Sequence, residues 1–351
     1  MSKLVIPSIG PASSVQDGGR PGSQRYGLAP SGAMDRLALA TANTLVGNPL
    51  FTASVEIGPF GAAFTAREGA VRVALAGASR NADIGGRAVA FDASLTLADG
   101  ETLTLGFARN GSFSYLAIEG GIAGEPTFGS LAVNARAGLG SPYPRPLQAG
   151  DELKTAAASR AAERRIELPA VADAPIRILW GPQDDEFADE TRKLFIDSEW
   201  KISATSDRMG YRLEGPVLKH LHGHNIVSDG TVNGCLQVPG NGQPIALMPD
   251  RNTTGGYPKI AAVISADFGR FAQTPAGRAF RFKAVSLAEA QAAAREFSEL
   301  LRSLPDRLRS IESFDLNIDA LRDANVAGHA VSAVDAGTWQ IASPPDVSGP
   351  S

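Results

Sequence analysis

The densest chemistry in the chain lies at residues 250 to 259, DRNTTGGYPK. Asp250 and Lys259 bring opposite charges, and Asn252, Thr253, Thr254 and Tyr257 bring hydrogen-bonding groups. Gly255 and Gly256 let a ligand approach the backbone, and Pro258 stiffens the chain just before Lys259. Such a set suits an anion held by charge-assisted hydrogen bonds and backbone N–H groups. Three further clusters have the same character. They are Gln16-Asp17-Gly-Gly-Arg20, Ser31-Gly-Ala-Met-Asp35 and Ser206-Asp207-Arg208. Polar, glycine-rich loops carry function more often than strands do. Asp–Arg pairs also simply tie turns together, so a binding role and a structural role are both open for each cluster.

Other patterns carry less. His220, His222 and His224 alternate in KHLHGH and on a strand would share one face, as zinc or nickel ligands do. Gly223 interrupts the stretch and no acid or Cys lies at ligand spacing, so a polar loop is expected instead. Cys235 is a nucleophile only if something lowers its pKa, and otherwise a small buried hydrophobe. Ser198-Glu-Trp-Lys201 fits the serine–lysine spacing without its companion motifs, and Trp200 and Ile202 read as strand positions. There is no G-x-x-x-x-G-K-[ST] and no G-x-G-x-x-G after a strand.

The elements that hold these loops are mainly strands. The 351 residues include 38 Gly and 23 Pro with 43% apolar residues, a mix that favours short strands and turns. Strands are expected in KLVIPSIG, SVEIG, VRVALAG, SYLAIEGGI, IRILWG, CLQVP and PIALM. Asp99-Gly100 predicts a hairpin between alternating segments. A helix capped by Ser31 and stopped by Gly47 and Pro49 is expected, and another with Asp185 and Glu186 in its first turn. Ser286 and Glu289 form a capping box before a helix ended by Pro305, and a weaker helical stretch to about Asn325 and a tail are expected after it. Length suits two units. These are an N-terminal β domain over 1–155, a connector over 156–174, a second β domain over 175–290, and a helical extension with a flexible tail over 291–351. Asp17-Gly-Gly-Arg20 and Asp207-Arg208-Met-Gly210 echo one another as a pseudo-repeat.

A net charge of −4 with interspersed signs gives no basic field for nucleic acid. No apolar run is long enough to span a membrane. A single cysteine and no apolar leader segment give the expectation of a cytoplasmic protein.

Three long stretches, in order, carry a resemblance: VQDGGRPGSQRYGLAPSGAMDRLALATANTLVGNP, TSDRMGYRLEGP, and LQVPGNGQPIALMPDRNTTGGYPKIAAVISAD. Together they resemble the biotin-dependent carboxyltransferase-like family, also called allophanate hydrolase subunit 2 or KipA-like. The likeness runs over about residues 3 to 290. It implies a mainly β fold of two cyclophilin-like β-barrel domains. It implies the C component of an ATP-hydrolysing 5-oxoprolinase, with a KipI-like B component and an A component as partners. ATP and Mg²⁺ would then belong to the complex. Biotin enters only under an alternative, carboxyl transfer to a urea-like substrate from biotin on another chain. A non-catalytic protein that binds a KipI-like partner is a further alternative.

Carried onto this chain, the resemblance makes Arg208 and Lys259 the expected anion contacts, with Asp207 and Asp250 orienting them or helping bind Mg²⁺. Asp17, Arg20, Ser31, Asp35, Gln237, Asn252, Thr253, Thr254, Gly255, Gly256 and Tyr257 are expected to bind a small-molecule substrate. No protein metal site is implied. Asn252 stands where the family usually has Gln, and NARAGLGSPYPRPL at 134 to 147 departs from its glycine-rich turn.

Overall fold

The computed structural model describes residues 2–170 and 173–311, and residues 2–311 form one compact unit. Alternation along single strands explains its layering. In the strand Val71–Gly77, Val71, Val73 and Leu75 enter one apolar cluster while Ala74 and Ala76 enter a second. The strand Ser114–Ile118 does the same, with Leu116 and Ile118 on one side and Tyr115 and Ala117 on the other. Successive side chains point to opposite faces, so a sheet carrying this pattern must be covered on both sides.

That sheet has seven strands, in the order Ser14–Gln16, Ser54–Ile57, Ser114–Ile118, Val71–Gly77, Ala93–Leu97, Arg164–Ile166, Leu308–Ser310. One face packs on a six-stranded sheet led by Ser2–Ile9 and Ala62–Arg67, through Leu4, Ile6, Phe64 and Leu103. The other face takes helix α1 (Arg36–Leu45), whose Ala38, Leu39, Ala42 and Leu45 are buried. The small alanines on the strands let the helix approach closely.

The second half forms an eight-stranded sheet. Its edge strands are Ala279–Phe280 and Phe282–Ala284, successive in the chain and separated by Arg281 alone. Two edges one residue apart make the sheet a nearly closed barrel, which removes the exposed backbone of open edges. Its contents, Phe195, Trp200, Phe271 and Phe282, belong to the same apolar cluster as α1. One core therefore runs from the first half into the second. Helices α2 (Asp189–Asp197), α3 (Phe268–Ala272) and α4 (Leu287–Ser303) complete the unit. The capping box of Ser286 and Glu289 is present at α4. No helix among the described residues is long and apolar enough to cross a membrane.

Several local expectations are corrected. Asp35, not Ser31, caps α1, its Oδ1 accepting from the N–H of Leu37 and Ala38. Ser31 lies in the left-handed region at φ 52°. Asp185 and Glu186 sit in a 3-10 turn, Asp184–Glu186, and the helix starts after it at Asp189. Asp99-Gly100 turns the chain, but Ala93–Leu97 pairs with Val71–Gly77 while Thr102–Leu105 pairs with Ala62–Arg67. The two strands part into different sheets, because each finds a longer apolar partner there than in the other. Residues 156–174 include Arg164–Ile166, which pairs with Leu308–Ser310, where a weak helix was expected. The expected continuation to Asn325 and the tail lie outside the described residues.

Asp92 gives a test of the interior. It adopts φ 52°, and its buried Oδ1 has no partner. Burial pushes its carboxyl up to about 6. The folded state then holds this proton at higher pH than the unfolded chain does, so stability falls as pH rises from about 4 through 6. Asp92→Asn keeps a residue that tolerates this backbone and removes the charge. It should raise unfolding free energy at pH 7.5 by roughly 1 to 2 kcal/mol, with no gain at pH 4. Denaturant melts at both pH values check this, and an unchanged or lower midpoint at pH 7.5 refutes it.

Candidate functional site

Two layers of polar residues meet where the halves join. The inner layer is a buried network around Arg208. Its Nε donates to Asp250 Oδ2 (2.9 Å), its Nη2 to the Gly32 carbonyl (2.7 Å), and its Nη1 to Glu56 Oε1. Glu56 is 0% exposed and also accepts from Tyr115 Oη (2.6 Å) and the Met34 N–H (2.8 Å). Burial raises the Glu56 carboxyl, opposed by the Arg208 charge. Burial also works against the Arg208 charge, but Asp250 and Glu56 overcome it and hold the guanidinium more firmly charged than usual. Arg208 and Asp250, expected at the ligand, are here spent on each other and on Glu56.

The first-half clusters also serve structure. Asp17 Oδ1 accepts from the Gly19 N–H and Ser130 Oγ, and Oδ2 from the Leu131 N–H, each at 2.7 Å. Arg20 is buried, with Nε donating to the Thr127 carbonyl and Nη2 to that of Ala132. Ser31 Oγ accepts from Asn134. Asp35 caps α1 and takes Gln273 Nε2 at 3.0 Å, tying α1 to α3. The pseudo-repeat is physical. Asp17 accepts from the N–H two residues on, and Asp207 does the same with Met209 (2.8 Å). In each copy the following arginine is held by partners distant in sequence, Arg20 by the carbonyls of Thr127 and Ala132, and Arg208 by Asp250, Glu56 and the Gly32 carbonyl.

The outer layer is an open cleft of about 540 Å³. Asp207, Gln237, Asn252, Thr254, Gly255, Gly256 and Tyr257 all line it, so these expected residues do converge. Thr253 does not; its carbonyl accepts from Gln24 and Thr231. The floor is the barrel surface at Gly210–Glu214, Ile245–Leu247 and Cys235–Gln237. One wall is a two-stranded ribbon, Asp229–Gly230 paired with Thr254–Gly255. Residues not anticipated also line it: Arg136, Thr205, Arg212 and Asn225. Arg212 had a signal, since it points outward between buried Tyr211 and Leu213. Arg136 sits in a 3-10 turn from the other half and had none beyond the departure at 134 to 147.

Lys259 lies behind the ribbon. It begins the strand Lys259–Val263, so the apolar run after DRNTTGGYP is a strand. Its side chain is 2% exposed and its ammonium donates to Asp229 Oδ2 at 2.9 Å. The ion pair with Lys259 lowers the Asp229 carboxyl pKa. Lys259 thus ties the ribbon to the barrel and is not among the lining residues of the cleft.

The weaker motifs resolve locally. His220 Nε2 meets the Val238 carbonyl at 2.9 Å and its ring packs on Phe187. Among the described residues no group of three or more His, Cys, Asp or Glu is placed to hold a metal. Cys235 is buried, and burial raises its thiol pKa, so it stays protonated. Ser198 Oγ donates to the Leu194 carbonyl, while Lys201 is exposed on its strand.

Comparison with known proteins gives a consistent picture. The model of the carboxyltransferase domain, subdomains A and B, matches residues 26–284. The chain is 38% identical over 308 residues to the C component of 5-oxoprolinase from Escherichia coli, covering 88% of this chain and 99% of that one. It is 35% identical over 283 residues to the C component of 5-oxoprolinase from Haemophilus influenzae, covering 79% and 89%. Among solved structures it is similar to the urea amidolyase of Kluyveromyces lactis, with TM-score 0.79 and 25% identity over 86% of this chain. The chain spans 20% of that enzyme, and 55% of a further solved homologue with TM-score 0.72 and 31% identity.

Proposed function

Because the chain belongs to the family of the carboxyltransferase domain with subdomains A and B, we propose that it acts as the C component of an ATP-dependent 5-oxoprolinase. The observation that carries this is the likeness to the E. coli C component, which extends over 99% of that protein at 38% identity. In this reading a KipI-like B component and an A component complete the enzyme, and ATP and Mg²⁺ are used by the assembly in the cytoplasm. Hydrolysis of the lactam is unfavourable enough at neutral pH to need coupling. The lactam oxygen takes the terminal phosphoryl group and ADP leaves. Water then adds at the activated carbon and the C–N bond breaks with a proton moving to nitrogen, leaving an acyl phosphate, and a second water hydrolyses this to the carboxylate and free phosphate. The products are glutamate, ADP and phosphate. Sites that run such chemistry hold developing negative charge with preorganised donors.

A second reading is favoured by the structural likeness to urea amidolyase. There the chain would receive a carboxyl group from biotin on another chain and pass it to a urea-like acceptor. A urea carboxylase relative is 28% identical over 333 residues, well below the two 5-oxoprolinase components.

The deciding experiment co-purifies the full chain with its A and B partners and measures 5-oxoproline-dependent release of glutamate and phosphate. Turnover is expected from the assembly and none from this chain alone. Carboxyl transfer to urea from carboxybiotin, without 5-oxoproline turnover, would replace the first reading by the second.

A further inference from the structure

We infer that Gln237, Arg136 and Arg212 form a recognition site in the cleft for a small molecule carrying a carboxylate beside a lactam carbonyl, the carboxylate going to the arginines and the carbonyl to Gln237. This rests on the oxoprolinase reading and assigns the pose of its substrate.

Gln237 ends the strand Cys235–Gln237, and its pairing with Lys259–Val263 shifts register between Leu236 and Gln237. Bulges of this kind re-aim a side chain and gather beside active sites. Gln237 is 7% exposed, it lines the cleft, and its Nε2 has no hydrogen-bond partner. Buried donors in native folds are rarely left without a protein or water acceptor, so this amide is available to a ligand's acceptor. The ribbon is shaped around this amide. A Cβ on Gly255 would stand 2.2 Å from Gln237 Nε2, so a side chain there would push this amide out of its present position.

The charges point the same way. Arg136 and Arg212 are exposed, line the same cleft, and have neither an ion pair nor a side-chain hydrogen bond among the described residues. Asp207 is the one acid in the lining, and its Oδ1 is already engaged by the N–H groups of Met209 and Gly210. Two guanidinium groups against one half-committed carboxylate leave a positive cleft, and guanidinium matches carboxylate geometry. Ile245, Leu247 and Tyr257 supply apolar surface for ring methylenes.

A nucleotide phosphate would satisfy the same arginines, so the test separates the two. The reconstituted enzyme is assayed with 5-oxoproline and with 2-pyrrolidinone, the same lactam without the carboxylate. Arg212→Gln and Arg136→Gln should raise the KM for 5-oxoproline at least about tenfold. They should leave 2-pyrrolidinone and the KM for ATP unchanged, so the preference between lactams narrows. Gln237→Leu should lower kcat/KM for both lactams by at least about tenfold. The arginines are exposed, so their variants keep the fold, and melting curves with partner co-elution verify it. Unchanged preference in both arginine variants, or a rise in KM for ATP in place of 5-oxoproline, overturns the inference while leaving the proposed function intact. If the wild-type assembly turns over no 5-oxoproline, the function falls. The inference is then judged by titrating 5-oxoproline and 2-pyrrolidinone into the assembly: a preference lost in Arg212→Gln sustains it, and no binding refutes it.

Discussion

Arg208→Met is expected to lower the unfolding free energy by about 3 to 5 kcal/mol, a large share of the roughly 5 to 15 kcal/mol that holds a domain together. The size follows from what the side chain leaves behind. Glu56 is wholly buried and would keep only Tyr115 Oη and the Met34 N–H as donors. Asp250 would lose its bidentate partner. Breaking one side of a buried ion pair costs far more than the pair contributes, because the remaining charge has no water. Two further outcomes follow. Arg208→Met should recover stability as pH falls, since Glu56, already raised by burial, then takes a proton. Adding Glu56→Gln should also recover stability, because the neutral amide needs no counter-charge. Urea melts of the three proteins at pH 7.5 and pH 5.5 read all of this. A single variant within about 1 kcal/mol of wild type, yet without 5-oxoproline turnover in the assembly, would return Arg208 to the role of a ligand contact.

Asp17→Ala should cost about 2 to 4 kcal/mol. Three donors converge on this buried carboxylate at 2.7 Å: the Gly19 N–H, Ser130 Oγ and the Leu131 N–H. Losing it strands all three, and an unpaired buried donor costs about 1 to 3 kcal/mol, with neighbours not adding in full. Asp17→Asn should fall between the two, since one amide oxygen still accepts. Stability and KM separate the two roles. A structural Asp17 gives lower melting midpoints in the order wild type, Asn, Ala. A substrate contact would instead give unchanged midpoints with a raised KM.

The polar clusters were legible in the sequence because type and spacing are local properties. Six neighbouring residues from Asn252 to Tyr257 contain five that line the cleft, and Asp207 and Gln237 join them. The capping box at Ser286 and Glu289 and the stop before Pro305 were legible for the same reason, as both depend on three or four adjacent residues. The mainly β character followed from alternation, which any strand with one buried face must show.

What the sequence did not determine is where each polar group ends. Arg208 and Lys259 have the chemistry of anion contacts, and their partners Glu56 and Asp229 are 152 and 30 residues away. No spacing rule reports a partner at that separation, so the fold alone turned both into internal ties. Arg136 and Arg212 were passed over for the converse reason. Each is an ordinary exposed arginine until the two halves dock and bring them to one cleft. Asp99-Gly100 shows the same limit in the backbone. The turn is a local matter of φ, and the strands on either side pair with whichever apolar edge the tertiary fold presents. Local propensity therefore set the pieces and their polar edges. Long-range closure decided which charges are neutralised inside and which remain to meet a ligand, because only closure sets which groups lose their water.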